Sequence, residues 1–175
     1  NITTGSNNLM LGYRAGKSGQ PGGTVTSHDN RVCLGDSAIS ELNCQVSLSV
    51  ASDQRDKTDF TDLDIGLDFV KGLKPYTFKW DKRSNYVDWD ENPDTDLLTI
   101  TNDGTHKEDQ LDIGFKAQDV EALEEAAGYS KDTKTNLTYA LSADEKQYSM
   151  KYEKLVPILV KAIQELEARV KELEG

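Results

Sequence analysis

Tyr152-Glu153-Lys154-Leu155-Val156-Pro157-Ile158-Leu159-Val160-Lys161-Ala162-Ile163-Gln164-Glu165-Leu166, continuing through Val170 to Leu173, returns an apolar residue every three or four positions. Val156, Ile163 and Val170 fall at heptad position a, and Tyr152, Leu159, Leu166 and Leu173 fall at d, a seam of about three heptads. The spacing predicts a helix from Ser149 onward and a coiled coil over about 150–174, so that this end of the chain self-associates. β-Branched residues at a with leucine at d favour a parallel dimer on packing alone. Pro157 lies in the first turn or two, where its ring is tolerated.

Working towards the N-terminus, Ile113-Gly114-Phe115 leads into a predicted helix over Ala117–Ala127, stopped by Gly128. A loop or hairpin covers Tyr129–Tyr148. Tyr76-Thr77-Phe78-Lys79-Trp80 alternates with period two and reads as a strand. Before it, Phe60, Leu63, Leu67 and Val70 follow a helical spacing up to Leu73, with Lys71-Gly72 and Pro75 as stop signals. The Asp-rich segment 81–110 has no sustained period beyond a short strand expected at Leu97–Thr101, and reads as a surface hairpin or excursion. Gln45-Val46-Ser47-Leu48-Ser49-Val50-Ala51 alternates again and reads as a strand.

The composition changes near residue 50. The first stretch is rich in Gly, Ser, Thr and Asn and repeats itself: Asn7, Met10, Leu11, Gly12 and Ala15 recur 23 positions later as Asn30, Cys33, Leu34, Gly35 and Ala38. Short β-segments with glycine corners at a fixed period are the mark of repeat architectures. Two copies fall short of the ~3 needed to bury a core, so this piece is expected to be the end of a longer repetitive object or to be completed by other chains.

The 175 residues include 31 Asp or Glu and 20 Lys or Arg, for a net charge of −11. That balance offers no basic stripe to displace counterions from phosphates, and speaks against nucleic acid and anionic membrane surfaces alike. No apolar run approaches the ~20 residues of a spanning helix, so no membrane insertion is expected and the chain reads as a soluble protein or a soluble fragment. Cys33 and Cys44 have no CxxC partner and read as small buried hydrophobes, and His28 and His106 lie near neither, so no metal and no cofactor is expected. Asp88-Trp89-Asp90-Glu91-Asn92 starts like a calcium loop, but Pro93 stands where glycine is required and Thr99 where glutamate is, leaving a solvated acidic loop. The glycines of 19–23 lack the Lys-Ser/Thr of a phosphate loop. Asn1-Ile2-Thr3 and Asn136-Leu137-Thr138 match the glycosylation sequon. One pair remains: Ser52 with Lys57. A serine hydroxyl becomes a nucleophile when a neighbouring base takes its proton, and a desolvated, neutral lysine serves. Arg55 is a like charge that would favour the neutral amine, opposed by Asp53, Asp56 and Asp59. Five residues apart is wrong for one helix face, so the pair needs a turn or a bent strand.

In order along the chain, Ala51-Ser52-Asp53-Gln54-Arg55-Asp56-Lys57, Gly66-Leu67-Asp68-Phe69-Val70, Leu73-Lys74-Pro75-Tyr76-Thr77-Phe78-Lys79-Trp80, Ile113-Gly114-Phe115-Lys116-Ala117-Gln118-Asp119-Val120 and Tyr148-Ser149-Met150-Lys151-Tyr152-Glu153-Lys154-Leu155-Val156-Pro157 resemble the endosialidase-type intramolecular chaperone. This autocleaving C-terminal domain is found on phage tailspikes and tail fibres, with a relative in the myelin regulatory factor. Two features depart from it: Asp119 stands where glutamate is expected, and the 81–110 loop is long. The resemblance, which runs from about residue 51 to the end, implies a homotrimer rather than the dimer of the heptad rule. It also implies that Ser52 is the nucleophile, that Lys57 is its base, and that the bond between Ala51 and Ser52 is cut.

The expected fold class is therefore α+β. Residues 1–51 form the end of an intertwined β-repeat fibre, and 52–175 a small mixed α/β chaperone domain ending in the coiled-coil helix. Partners are two further copies and the upstream fibre of the same polypeptide. The resemblance places the protein in the virion, assembled in the host bacterial cytoplasm, with the chaperone part released after cleavage. The rival reading is a structural trimeric fibre or adhesin end without chemistry, in which Ser52 is a helix-cap or turn residue.

Overall fold

The 23-residue offset of the repeat is the register of the first sheet. In the computed structural model, which describes residues 2–175, β1 (Leu9–Leu11) pairs in parallel with β2 (Val32–Leu34), setting Leu9, Met10 and Leu11 opposite Val32, Cys33 and Leu34. Asn1, the first residue of one sequon, lies outside the described residues. The offset extends beyond the strands. Thr3 N donates to Thr26 O at 2.8 Å, Asn7 Nδ2 to Asn30 Oδ1 at 2.7 Å, and Arg31 N to Asn8 Oδ1 at 2.9 Å. One turn of a coil thus climbs one strand spacing within a single chain. The repeated glycines sit at the corner, Gly12 at φ 103° and Gly35 at φ 68°, where a β-carbon on Gly12 would come within 3.1 Å of the Gly35 backbone.

The strand expected at 45–51 does not form. Residues 38–62 are exposed throughout, and a strand without a neighbour has no ladder to satisfy its backbone. Cys44 lies here, exposed, contrary to the reading of both cysteines as buried; Cys33, in β2 opposite Met10, is buried.

Helix α1 (Leu67–Gly72) is shorter than the 60–73 spacing suggests, and its start is decided from a distance. Gly66 brings no capping side chain, and the Glu165 carboxylate of the C-terminal helix accepts the Leu67 N–H at 2.7 Å. β3 (Tyr76–Phe78) pairs antiparallel with β4 (Asp112–Gly114), and the 81–110 excursion leaves between them, closed at its base where Glu108 N donates to Trp80 O at 2.7 Å. The strand expected at Leu97–Thr101 is a 3₁₀ turn over Leu97–Thr99, because the Asp96 side chain accepts Leu98 N at 3.1 Å and curls the backbone. Next come α2 (Ala117–Ala126), followed by Gly128 at φ 89°, and the hairpin of β5 (Tyr139–Leu141) with β6 (Tyr148–Met150). α3 (Leu155–Glu174) begins at Leu155 rather than Ser149, since the hairpin claims Tyr148–Met150 and a 3₁₀ turn occupies Tyr152–Lys154.

The core lies where α1 crosses α3, with Ile65, Phe69, Leu155 and Ile158 buried together. α3 has two apolar faces. Leu155, Ile158 and Ala162 pack inward, whereas Val156, Leu159, Ile163, Leu166, Val170 and Leu173, the a and d residues, remain exposed. Thus one face holds the domain together and the other is left unpaired within this chain.

The hairpin is held to α2 by Glu124, which is fully buried. Its carboxylate accepts the backbone N–H of Leu137 and of Thr138, both at 2.7 Å, together with the Thr138 hydroxyl. Glu124→Ala would strand these donors away from water, so urea denaturation should show a loss of about 2–5 kcal/mol. A loss under ~1 kcal/mol would mean that water replaces the carboxylate.

Candidate functional site

Ser52 and Lys57 are brought together by a tight local turn. Asp53 caps a 3₁₀ turn over Gln54–Asp56, accepting Arg55 N at 2.9 Å, and Lys57 N donates back to Gln54 O at 3.2 Å. That reversal carries the lysine side chain over the serine. Lys57 Nζ donates to Ser52 Oγ at 2.6 Å and lies 3.4 Å from the Ser52 carbonyl oxygen. The separation of five residues, wrong for a helix face, suits this turn. A neutral amine at the same place would accept the hydroxyl proton along the same line.

The surrounding charges differ from the simple reading of the sequence. Arg55 turns to Asp53, with Nη2 2.6 Å from Oδ2, rather than standing against Lys57 as a free like charge. The Arg55 hydrogen bonds hold the Asp53 carboxyl below its ordinary range, and the Asp53 hydrogen bonds hold Arg55 above its own. Ala51, Ser52 and Lys57 are all exposed in the single chain.

A second constellation was not legible in the sequence. The acidic loop 88–92, dismissed as solvated, contains buried Trp89, whose Nε1 donates to Ser84 O at 2.8 Å. The ring lies against Gly19 of the N-terminal coil. Arg14 of that coil stacks over the indole at 5.2 Å, and its Nη1 donates to Trp89 O at 3.0 Å. On the other flank Thr24 N donates to Asp144 Oδ2 at 2.9 Å, and Ala143 N to Gly22 O at 2.8 Å. A lone tryptophan in an acidic loop was the available signal, but nothing pointed to partners some 70 positions away.

Burial pushes the Asp144 carboxyl up, but hydrogen bonds from the Ser142 hydroxyl and from the N–H groups of Thr24 and Lys146 outweigh it and hold it below its ordinary range. Its folded value being depressed, its contribution is present above about pH 4 and is lost as pH falls through that folded value. In a Trp80→Phe background, which leaves Trp89 as the sole indole, the emission should therefore shift to the red as pH falls through that lowered value. In Asp144→Asn this acid step should vanish from the difference profile. The same acid profile in both proteins would remove Asp144 from the contact.

Among the described residues, no group of three or more His, Cys, Asp or Glu is arranged to hold a metal ion, and no helix is long and apolar enough to cross a membrane.

A small mixed α/β domain with a serine–lysine contact at its N-terminal edge and a two-faced helix at its end defines the class. Residues 52–129 match the family described as chaperone of endosialidase, a family designated as a peptidase. The match opens at Ser52 and covers under half of the chain, leaving the β5–β6 hairpin and α3 outside it. A search of curated proteins and a search of solved structures each found no match.

Proposed function

We propose that this chain is a self-cleaving trimerisation chaperone carried behind the tip of its own phage fibre or tailspike. The observation that carries the reading is the approach of Lys57 Nζ to Ser52 Oγ, 2.6 Å apart, at the first residue of the family segment. Neutral Lys57 takes the hydroxyl proton while Oγ attacks the Ala51 carbonyl carbon. The Ala51–Ser52 C–N bond breaks, the proton passes to the departing Ser52 amine, and an ester joins Ala51 to Oγ. Water then hydrolyses the ester, freeing the Ala51 carboxylate and restoring the hydroxyl. Direct hydrolysis by an activated water consumes the same single water and yields the same two ends.

Assembly supplies what the single chain lacks. A lysine base needs desolvation, and both partners are exposed here, within a 38–62 stretch that also exposes Val46, Leu48, Val50 and Phe60. Two further copies packed on this stretch and on the free face of α3 would cover those side chains and desolvate the amine, so that cutting follows trimerisation. A parallel coil with few local contacts registers slowly across three chains, and a trimerising end makes the encounter local. Once the bond is cut, the fibre is trapped kinetically in its register.

The rival, a fibre end without chemistry, assigns Ser52 a capping role, but Asp53 caps this turn. Intact-mass measurement of the purified parent and of Ser52→Ala during non-denaturing storage tests the proposal. Two fragments meeting at Ala51–Ser52 in the parent alone are expected. One full-length mass in both would leave a trimerisation domain without self-cleavage.

A further inference from the structure

We infer that the chaperone part keeps hold of the fibre end after the chain is cut, through a grip in which Trp89 and Asp144 read the glycine corner of residues 19–24. The inference rests on the proposed function for the cut and for the roles of the two sides; the grip itself stands on contacts between residues on either side of the cut.

Trp89 and Asp144 fill space that side chains would otherwise occupy. The indole lies where a β-carbon on Gly19 would project, and the Asp144 carboxylate lies where one on Gly23 would, with both glycines at positive φ, 73° and 70°. Only a corner built with glycine at both places admits the two groups. The ring is fixed from its own side by the Nε1 hydrogen bond to Ser84 O and clamped from the coil side by Arg14, whose side chain is 10% exposed. Around this centre the contacts run to backbone: Thr24 N to Asp144, Ala143 N to Gly22 O, and Lys82 Nζ to Ser37 O at 3.1 Å. A buried aromatic–arginine centre ringed by hydrogen bonds is the make-up of an interaction hot spot. The 38–62 link between the two sides is exposed throughout, so the covalent bond there acts as a tether. Cutting it lowers the effective concentration of the coil at the grip but removes none of the contacts. Release is then a separate step from cleavage.

The test imposes the cut from outside. In full-length protein carrying Ser52→Ala, a site-specific protease sequence placed within residues 41–48 is cleaved, and the two pieces are followed by native mass spectrometry and size exclusion. They are expected to travel together. Trp89→Ala combined with Asp144→Ala should shorten the lifetime of the complex on the order of thirtyfold. Gly19→Ala, which leaves the chaperone part unaltered and crowds the ring from the coil side, should do likewise. Far-UV circular dichroism before cutting confirms that each variant is folded. Separation of the parent's pieces upon cutting, or equal retention in the parent and in Gly19→Ala, overturns the grip. Because the protease makes the cut, neither result depends on whether the chain cleaves itself.

Discussion

Lys57→Ala is expected to leave the bond between Ala51 and Ser52 whole while the protein still folds and assembles. The side chain is exposed and its hydrogen bonds run to Ser52, whereas the turn that positions it is held by the Asp53 cap and its Arg55 partner. Removing the amine therefore takes away the proposed base and little of the structure. A positioned general base contributes about 10²–10⁴-fold, so any cleavage in the variant should run at least about a hundredfold slower than in the parent. Lys57→Arg sharpens the test. It keeps the charge and most of the reach, but a guanidinium does not give up its proton near neutrality, so this variant should fail as well. Intact mass reads the cut, and sedimentation confirms that assembly is unaltered. Parent-like cleavage in both variants would remove Lys57 from the chemistry; cleavage in Lys57→Arg alone would make it a source of charge rather than a base.

If the proposed trimer forms through the free face of α3, Ile163→Asp with Leu166→Asp is expected to leave folded monomers and to stop the proposed cleavage with it. Ile163 is 65% exposed and Leu166 50%, so neither belongs to the buried core of its own chain. Burying one such side chain at an interface is worth about 1.5–3 kcal/mol, and the carboxylates replace that gain with repulsion in every subunit. Ile158→Asp is the contrasting control. Ile158 is 2% exposed between α1 and α3, and a charge there should unfold the domain instead of separating subunits. Sedimentation equilibrium of the parent also decides between the dimer favoured by the heptad composition and the trimer of the proposal. A double variant that still sediments and cuts like the parent would show that the free face of α3 is not the interface.

The parts of this protein that could be read without a structure were those whose information is local or periodic. The 23-residue repeat reappeared as the parallel register of β1 and β2 because the same residues at positive φ bracket both strands, Asn7 and Asn30 before them and Gly12 and Gly35 after them, and impose identical turns. The heptads of 152–173 marked the face of α3 that stays uncovered, and the Ser52–Lys57 spacing asked for a turn that the Asp53 cap supplies. The motif order also placed the family segment beginning at Ser52.

What failed were readings that took a local pattern as sufficient. Residues 45–51 alternate like a strand, but alternation creates no hydrogen-bonding neighbour, and within this chain they have none. The spacing from Phe60 suggested a long helix, yet α1 starts only at Leu67, where Glu165 reaches across to cap it. Buried Trp89 looked like part of a solvated loop because its partners, Gly19 and Arg14, are remote in sequence. Sequence by itself thus determined the repeat, the helix seam and the candidate dyad, since each depends on side chains a few positions or one fixed period apart. Tertiary structure alone decided the distant cap on α1, the buried Glu124 clamp and the grip on the glycine corner, because these are pairings between single residues at unrelated separations. Only the folded backbone brings such residues within hydrogen-bonding or van der Waals reach.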